Sequence, residues 1–155
     1  MLVVGLGGNG GETARRAHAF GMRVLATDPK EMAQPAWVSR LAKPDQLDAL
    51  LPSADVVVLA APLTADTRAL FGAERIARMK DGAFLINIAR GRMLDTNALV
   101  AALQSKKLRG AGLDVTDPEP LPSDHALWKL PNVILTPHVS GQSPGTWGVR
   151  MTLGS

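Results

Sequence analysis

The sequence predicts an α/β domain built on a doubly wound parallel sheet, and three observations predict it. Strand-like and helix-like segments alternate along nearly the whole chain, the pattern of right-handed crossovers between parallel strands. The strand segments are almost continuously apolar, as in a sheet covered on both faces. The first strand also runs directly into a glycine-rich turn, Gly5-Leu6-Gly7-Gly8-Asn9-Gly10, which opens the first helix.

The apolar start predicts a strand over 2–5. Residues 8–20 read as a helix with Ala14, Ala17 and Phe20 on one face and Gly21 as its C-cap. A second strand is predicted over 22–27, ended by Asp28-Pro29, and the polar stretch 30–44 gives no clear element. A short helix over 45–51 and a strand over 55–60 follow. Next come a helix over 70–79, a strand over 83–88, and a helix over 96–105 with Asp95 as N-cap and Leu99, Ala102 and Leu103 on one face. Strands over 112–115 and 133–136 bring the total to six.

At 155 residues the chain fits one domain that buries about two-thirds of its unfolded surface. Seventeen basic residues stand against 14 acidic ones, for a net charge of +3. They are scattered apart from Lys106, Lys107 and Arg109 at a helix end, where cations favour the macrodipole. No basic stripe with interleaved aromatics points to nucleic acid. The absence of cysteine excludes disulfides and thiolate metal sites. The longest apolar run, 56–61, has the length of a buried strand and not of a membrane span. The start is too short and glycine-broken for a signal peptide. A soluble, cytoplasmic protein is the expectation. No metal is expected either, because the three histidines are dispersed: His18 reads as structural and His125 as a cap or surface residue.

Gly5, Gly7 and Gly10 have the G-x-G-x-x-G spacing between strand and helix. In that context the first glycine permits the turn, the second lets backbone approach a pyrophosphate, and the third allows close helix–strand packing. Phosphate oxygens would lie at the helix N-terminus, where free N–H groups and the dipole favour anions. Asp28, at the end of the second strand, can bond both hydroxyls of a ribose, and its charge would repel a 2′-phosphate. NAD is therefore expected over NADP; a turn-forming aspartate before Pro29 is the plainer alternative.

Further stretches complete a set with a known likeness: Ala61-Pro62-Leu63-Thr64, Ile86-Asn87-Ile88-Ala89-Arg90-Gly91, Gly112-Leu113-Asp114-Val115, Glu119-Pro120-Leu121-Pro122 and Thr136-Pro137-His138-Val139-Ser140-Gly141. In this order and spacing, over about residues 2–141, the chain resembles the D-isomer-specific 2-hydroxyacid dehydrogenases, specifically their Rossmann-type NAD-binding domain. The resemblance implies that Arg90 grips the carboxylate and carbonyl of a small 2-oxo acid, that His138 is the general acid–base, and that Glu119 pairs with it. It also implies cofactor contacts at Gly8, Asn9, Ala61, Pro62, Thr67, Ile88, Ala89, Arg90, Asp114, His138 and Gly141, beside Gly5, Gly7, Gly10 and Asp28.

The chemistry supports those roles independently. A planar guanidinium holds a 2-oxo acid through several donors. Imidazole gives and takes protons near neutrality, and a neighbouring carboxylate favours its charged form. The bland alternatives are a surface arginine after a strand, a solvated acid in a proline-rich loop, and a strand-end histidine with a structural duty only.

Two departures accompany the resemblance. Asn9 replaces a branched aliphatic residue usual in the family's glycine turn, for which a modest packing loss is expected. The family's second, substrate-closing domain is also not recognisable. Residues 1–141 read as the nucleotide-binding domain and 142–155 as the possible start of a helix returning to that missing domain. Without closure, weak NAD binding and poor turnover are expected. A homodimer stays open, as does an NAD(H)-binding sensor or corepressor-like module without turnover.

Overall fold

The computed structural model describes residues 1–141. The segment 142–155, expected to leave the domain, lies outside the described residues. Seven parallel strands form one sheet in the order β3-β2-β1-β4-β5-β6-β7. They are β1 Leu2–Val4, β2 Leu25–Thr27, β3 Arg40–Ala42, β4 Val56–Leu59, β5 Ala83–Asn87, β6 Leu108–Leu113 and β7 Val133–Leu135. The helices are α1 Gly8–Ala19, α2 Leu47–Leu50, α3 Ala73–Arg78 and α4 Thr96–Gln104. The order reverses beside β1, and this switch point opens a crevice outside the strands' carboxyl ends.

The expected architecture is present, with five corrections, the first that β2 begins at Leu25 and not at residue 22. The strands number seven and not six: β3 lies in the stretch without an assignment, and it pairs Leu25 with Arg40 and Thr27 with Ala42 at the sheet edge. Edge strands are commonly short and charged, so a three-residue segment beginning with arginine gives no apolar run to detect. β6 begins at Leu108, four residues before the expected start, because Arg109 and two glycines disguise it. α3 spans only Ala73–Arg78, since Phe71 leaves the helix to bridge Leu94. Phe20 is 88% exposed and not on the buried face with Ala14 and Ala17. α1 ends before it, and once the chain leaves the helix the 3.6-residue period no longer aims its side chain. Gly21 follows with φ +80°, the left-handed stop expected of it.

The two faces of the sheet differ. One packs Leu2, Val4, Val57, Leu59, Leu85 and Leu113 against Leu47, Leu50, Ile76, Leu99 and Leu103 of α2, α3 and α4 and against Met79 just after α3. On the other, Val3 and Ala26 pack under Ala14 and Ala17 of α1. The pleat puts Phe84 and Ile86 of β5, Gly110 and Gly112 of β6 and Ile134 of β7 on this α1 face. Among the described residues no helix covers them, and Ile134 is 71% exposed. The Arg109 guanidinium lies 5.7 Å from the Phe84 ring centroid, giving the ring partial cover.

Candidate active site

The glycine turn is shaped by close approach. A Cβ on Gly5, whose φ is +93°, would lie 2.6 Å from the backbone of Ala61. One on Gly10 would lie 1.9 Å from the Gly5 carbonyl oxygen, so both positions admit only glycine. Gly7 and Gly8 instead face open space, with no heavy atom within 4 Å of such a Cβ. The Gly11 N–H bonds the Gly7 carbonyl at 2.7 Å as the helix begins. The amides of Gly8, Asn9 and Gly10 precede that bond, and no side chain caps them. Three donors at the positive end of a 12-residue helix therefore face the open side of the turn, which fits a pyrophosphate. Asn9 is exposed, so it loses little packing there.

Asp28 is buried at the exit of β2. Its Oδ2 accepts the Leu6 N–H at 2.8 Å, and its Oδ1 accepts the Lys30 N–H at 2.9 Å. The carboxylate thus ties the glycine turn to the second strand. Each oxygen keeps a further lone pair for another donor.

Gly8, Asn9, Ala61, Pro62, Ile88 and Arg90 border a cleft of about 420 Å³ outside the strand ends. Thr67 folds one wall: its hydroxyl donates to the Pro62 carbonyl and accepts the Thr64 N–H, both at 2.7 Å. Asn87 builds the other. Fully buried, it donates to the Arg90 carbonyl and accepts the Ala89 N–H, both at 3.0 Å. The Arg90 side chain points back, Nη1 donating to the Ala89 carbonyl at 2.6 Å.

A second cavity of about 480 Å³ is bordered by Asp114, Glu119, Leu121, Trp128 and His138. His138 Nδ1 and Glu119 Oε1 are 2.6 Å apart. A carboxylate only accepts, so Nδ1 carries the proton and Nε2 is left for exchange. Both side chains are about half exposed, and the pair is an orienting contact more than a source of stability. Glu119 is steadied in turn, its Oε2 accepting the Thr116 N–H at 3.3 Å.

Arg90 borders the first cleft and the His138–Glu119 pair the second, but the two are joined. A Cβ on Gly91 would sit 1.9 Å from the Thr116 carbonyl oxygen, so the Arg90 loop lies directly on the segment leading to Glu119. Asp114 joins them too, its N–H bonding the Asn87 carbonyl at 3.0 Å and its carbonyl accepting the His138 N–H at 2.9 Å.

The Asp114 carboxylate, expected to face a nicotinamide amide, accepts the Thr136 hydroxyl and the Val139 and Ser140 N–H groups. Burial alone would raise its pKa, but the bonds from Thr136, Ser140 and Val139 together outweigh burial and hold it below the usual carboxylate value. Gly141 is exposed at the end of the described residues. His18 is exposed on α1, and His125 Nδ1 accepts the Leu127 N–H at 3.2 Å, capping a 3-10 turn.

Sequence reasoning passed over Asn87, Gly91 and Thr136 as builders of the site. A polar residue ending an apolar strand was the available signal for Asn87. The close approach at Gly91 has no local signature.

Residues 1–140 match the family profile described as D-isomer specific 2-hydroxyacid dehydrogenase, NAD binding domain. A glyoxylate reductase of Pyrococcus horikoshii is 46% identical over 145 residues, covering 92% of this chain and 42% of the relative. An (S)-sulfolactate dehydrogenase of Chromohalobacter salexigens is 43% identical over 139 residues, covering 90% and 45%. The crystal structure of a D-isomer specific 2-hydroxyacid dehydrogenase from Xanthobacter autotrophicus Py2, in complex with NADPH and MES, superposes with a TM-score of 0.87 at 38% identity, covering 92% of this chain and 45% of that one. The chain thus spans less than half the length of these relatives.

Proposed function

The chain belongs to the D-isomer specific 2-hydroxyacid dehydrogenase family through its NAD-binding domain, and from that premise we propose that it serves reversible hydride transfer between NADH and a small 2-oxo acid, giving a D-2-hydroxy acid. The observation that carries the reading is the imidazole–carboxylate pair of His138 and Glu119, set beyond the strand ends of a domain that opens with a dinucleotide turn. A sensor without turnover has no use for a proton relay.

The residues present fit the cofactor. Gly7, Gly8, Asn9 and Gly10 would hold its pyrophosphate with backbone N–H groups, and Gly5 shapes the turn. Asp28 would take the adenosine ribose, favouring NAD over NADP. Ala61, Pro62, Thr67, Ile88 and Ala89 would flank the cofactor, with Asp114 and Gly141 near its nicotinamide end. When bound, the nicotinamide supplies or accepts the hydride.

Arg90 would release its bond to Ala89 and grip the substrate's carboxylate and carbonyl oxygens through its fork of donors. That grip draws electron density from the carbonyl carbon. His138 would deliver a proton from Nε2 to the carbonyl oxygen in reduction and remove it in oxidation. Glu119, bonded at Nδ1, would fix the tautomer and the orientation of the ring.

The test is NADH oxidation by the full-length protein with a panel of 2-oxo acids that includes glyoxylate and hydroxypyruvate. Turnover that His138→Ala abolishes, with NADH binding retained, is the expected result. Unimpaired turnover by that variant would remove the role given to His138. NADH binding without turnover of any 2-oxo acid would favour the sensor.

A further inference from the structure

We propose that Asp114 is a positioning residue that holds His138 in a left-handed backbone conformation and so aims its imidazole. The observation is at His138 itself, whose φ is +56°. Histidine visits this region more often than most side chains, but it remains an unfavoured conformation for any residue with a Cβ. Such a conformer persists where the surroundings over-determine it.

One residue supplies most of the surroundings. The Asp114 carbonyl accepts the His138 N–H at 2.9 Å. Its Oδ1 accepts the Thr136 hydroxyl at 2.5 Å and the Val139 N–H at 2.9 Å, and its Oδ2 accepts the Ser140 N–H at 2.9 Å. Bonds from 136, 138, 139 and 140 thus converge on Asp114, which is buried just beyond β6 and tied to β5 through Asn87; the His138 N–H also reaches the Thr136 carbonyl at 3.1 Å, and the Thr136 N–H bonds the Leu113 carbonyl at 3.0 Å. Glu119 reaches the imidazole from a different loop. Its 2.6 Å contact forms only if the backbone already presents the ring on that side. Were φ to relax to a negative value, Cβ would swing about the backbone and carry Nδ1 away from Glu119.

Asparagine is the discriminating substitution, because it keeps the shape but replaces one acceptor oxygen with an NH2 that cannot accept. Either Val139 or Ser140 then loses its partner. The catalytic consequence rests on the dehydrogenase reading above; the conformational claim does not.

The experiment is NMR of the chain without cofactor. In the wild type the His138 Nδ1 proton should give a downfield, slowly exchanging signal, assigned by its loss in Glu119→Gln and His138→Ala. In Asp114→Asn that signal should vanish, and the Val139 and Ser140 amides should exchange at least tenfold faster, with core amides of β1 and β4 unchanged. Thr136→Val, which removes one donor, should produce a smaller change of the same kind, and it decides the matter if Asp114→Asn does not fold. Retention of the ring signal and of Val139 and Ser140 protection in the folded variant would overturn the proposal, as would a wild type lacking that protection. In a turnover assay Asp114→Asn should lower kcat at least tenfold. If no 2-oxo acid is reduced even by the wild-type full-length protein, the dehydrogenase reading fails and the NMR comparison still decides the role of Asp114.

Discussion

Asp28 holds the glycine turn and, in the function proposed above, would also take a ribose, and the two duties can be separated by measurement. Its bonds to Leu6 and Lys30 hold the glycine turn, and its remaining lone pairs suit ribose hydroxyls. Asp28→Asn should weaken NADH binding and narrow the preference over NADPH about tenfold, roughly 1.4 kcal/mol; calorimetric titration with both cofactors checks it. An unchanged ratio would remove Asp28 from cofactor selection. Protonation offers a second test at this scale. Folding lowers the pKa of Asp48, chiefly through its hydrogen bond from Arg75, and that of Asp114, where the loop's bonds outweigh burial. A carboxyl lowered by folding adds stability that is complete above its ordinary value of 3.8 and is lost as pH falls through the lower, folded one. The melting temperature should therefore decline below about pH 4, and Asp114→Asn, stable or not at neutrality, should flatten part of that decline.

The glycine turn yields a contrast within one element. Gly10→Ala drives a Cβ to 1.9 Å from the Gly5 carbonyl oxygen and should cost about 3 kcal/mol in a denaturant titration. Gly7→Ala meets nothing in the folded chain, so it should leave stability within about 0.5 kcal/mol and weaken NADH binding alone. Equal destabilisation by both would show that the open side of the turn is not a ligand surface. The same turn explains why so much was legible in the sequence. Gly7, Gly10 and Asp95 act within a few residues of themselves, where spacing carries the information. β3 acts through its neighbour: nothing in Arg40-Leu41-Ala42 marks a strand until β2 offers it a ladder. Phe71 likewise leaves a helical pattern because Leu94 lies beside it in space. The left-handed His138 and the approach of Gly91 to Thr116 are tertiary facts of the same kind. Sequence reasoning named Arg90, Asp114, Glu119 and His138 but not Asn87, Gly91 or Thr136, which help to arrange them.

At the scale of the molecule, the sheet order places the exits of β5, β6 and β7 side by side, so Arg90, Asp114 and His138 follow neighbouring strands though they are far apart in the chain. Right-handed crossovers do this without any local signal, which is why the constellation could be inferred only from motifs in order. One consequence remains in the row of Phe84, Ile86, Gly110, Gly112 and Ile134 on the α1 side. Among the described residues, water meets this greasy strip at Phe84 and Ile134, where a parallel sheet ordinarily has a roof. A fluorescent probe of apolar surface, such as anilinonaphthalene sulfonate, should light up on the natively folded chain, and concentrated solutions should scatter light increasingly as ammonium sulfate is added. Ile134→Lys should dim the probe and raise the salt needed for turbidity while leaving the unfolding midpoint nearly unmoved.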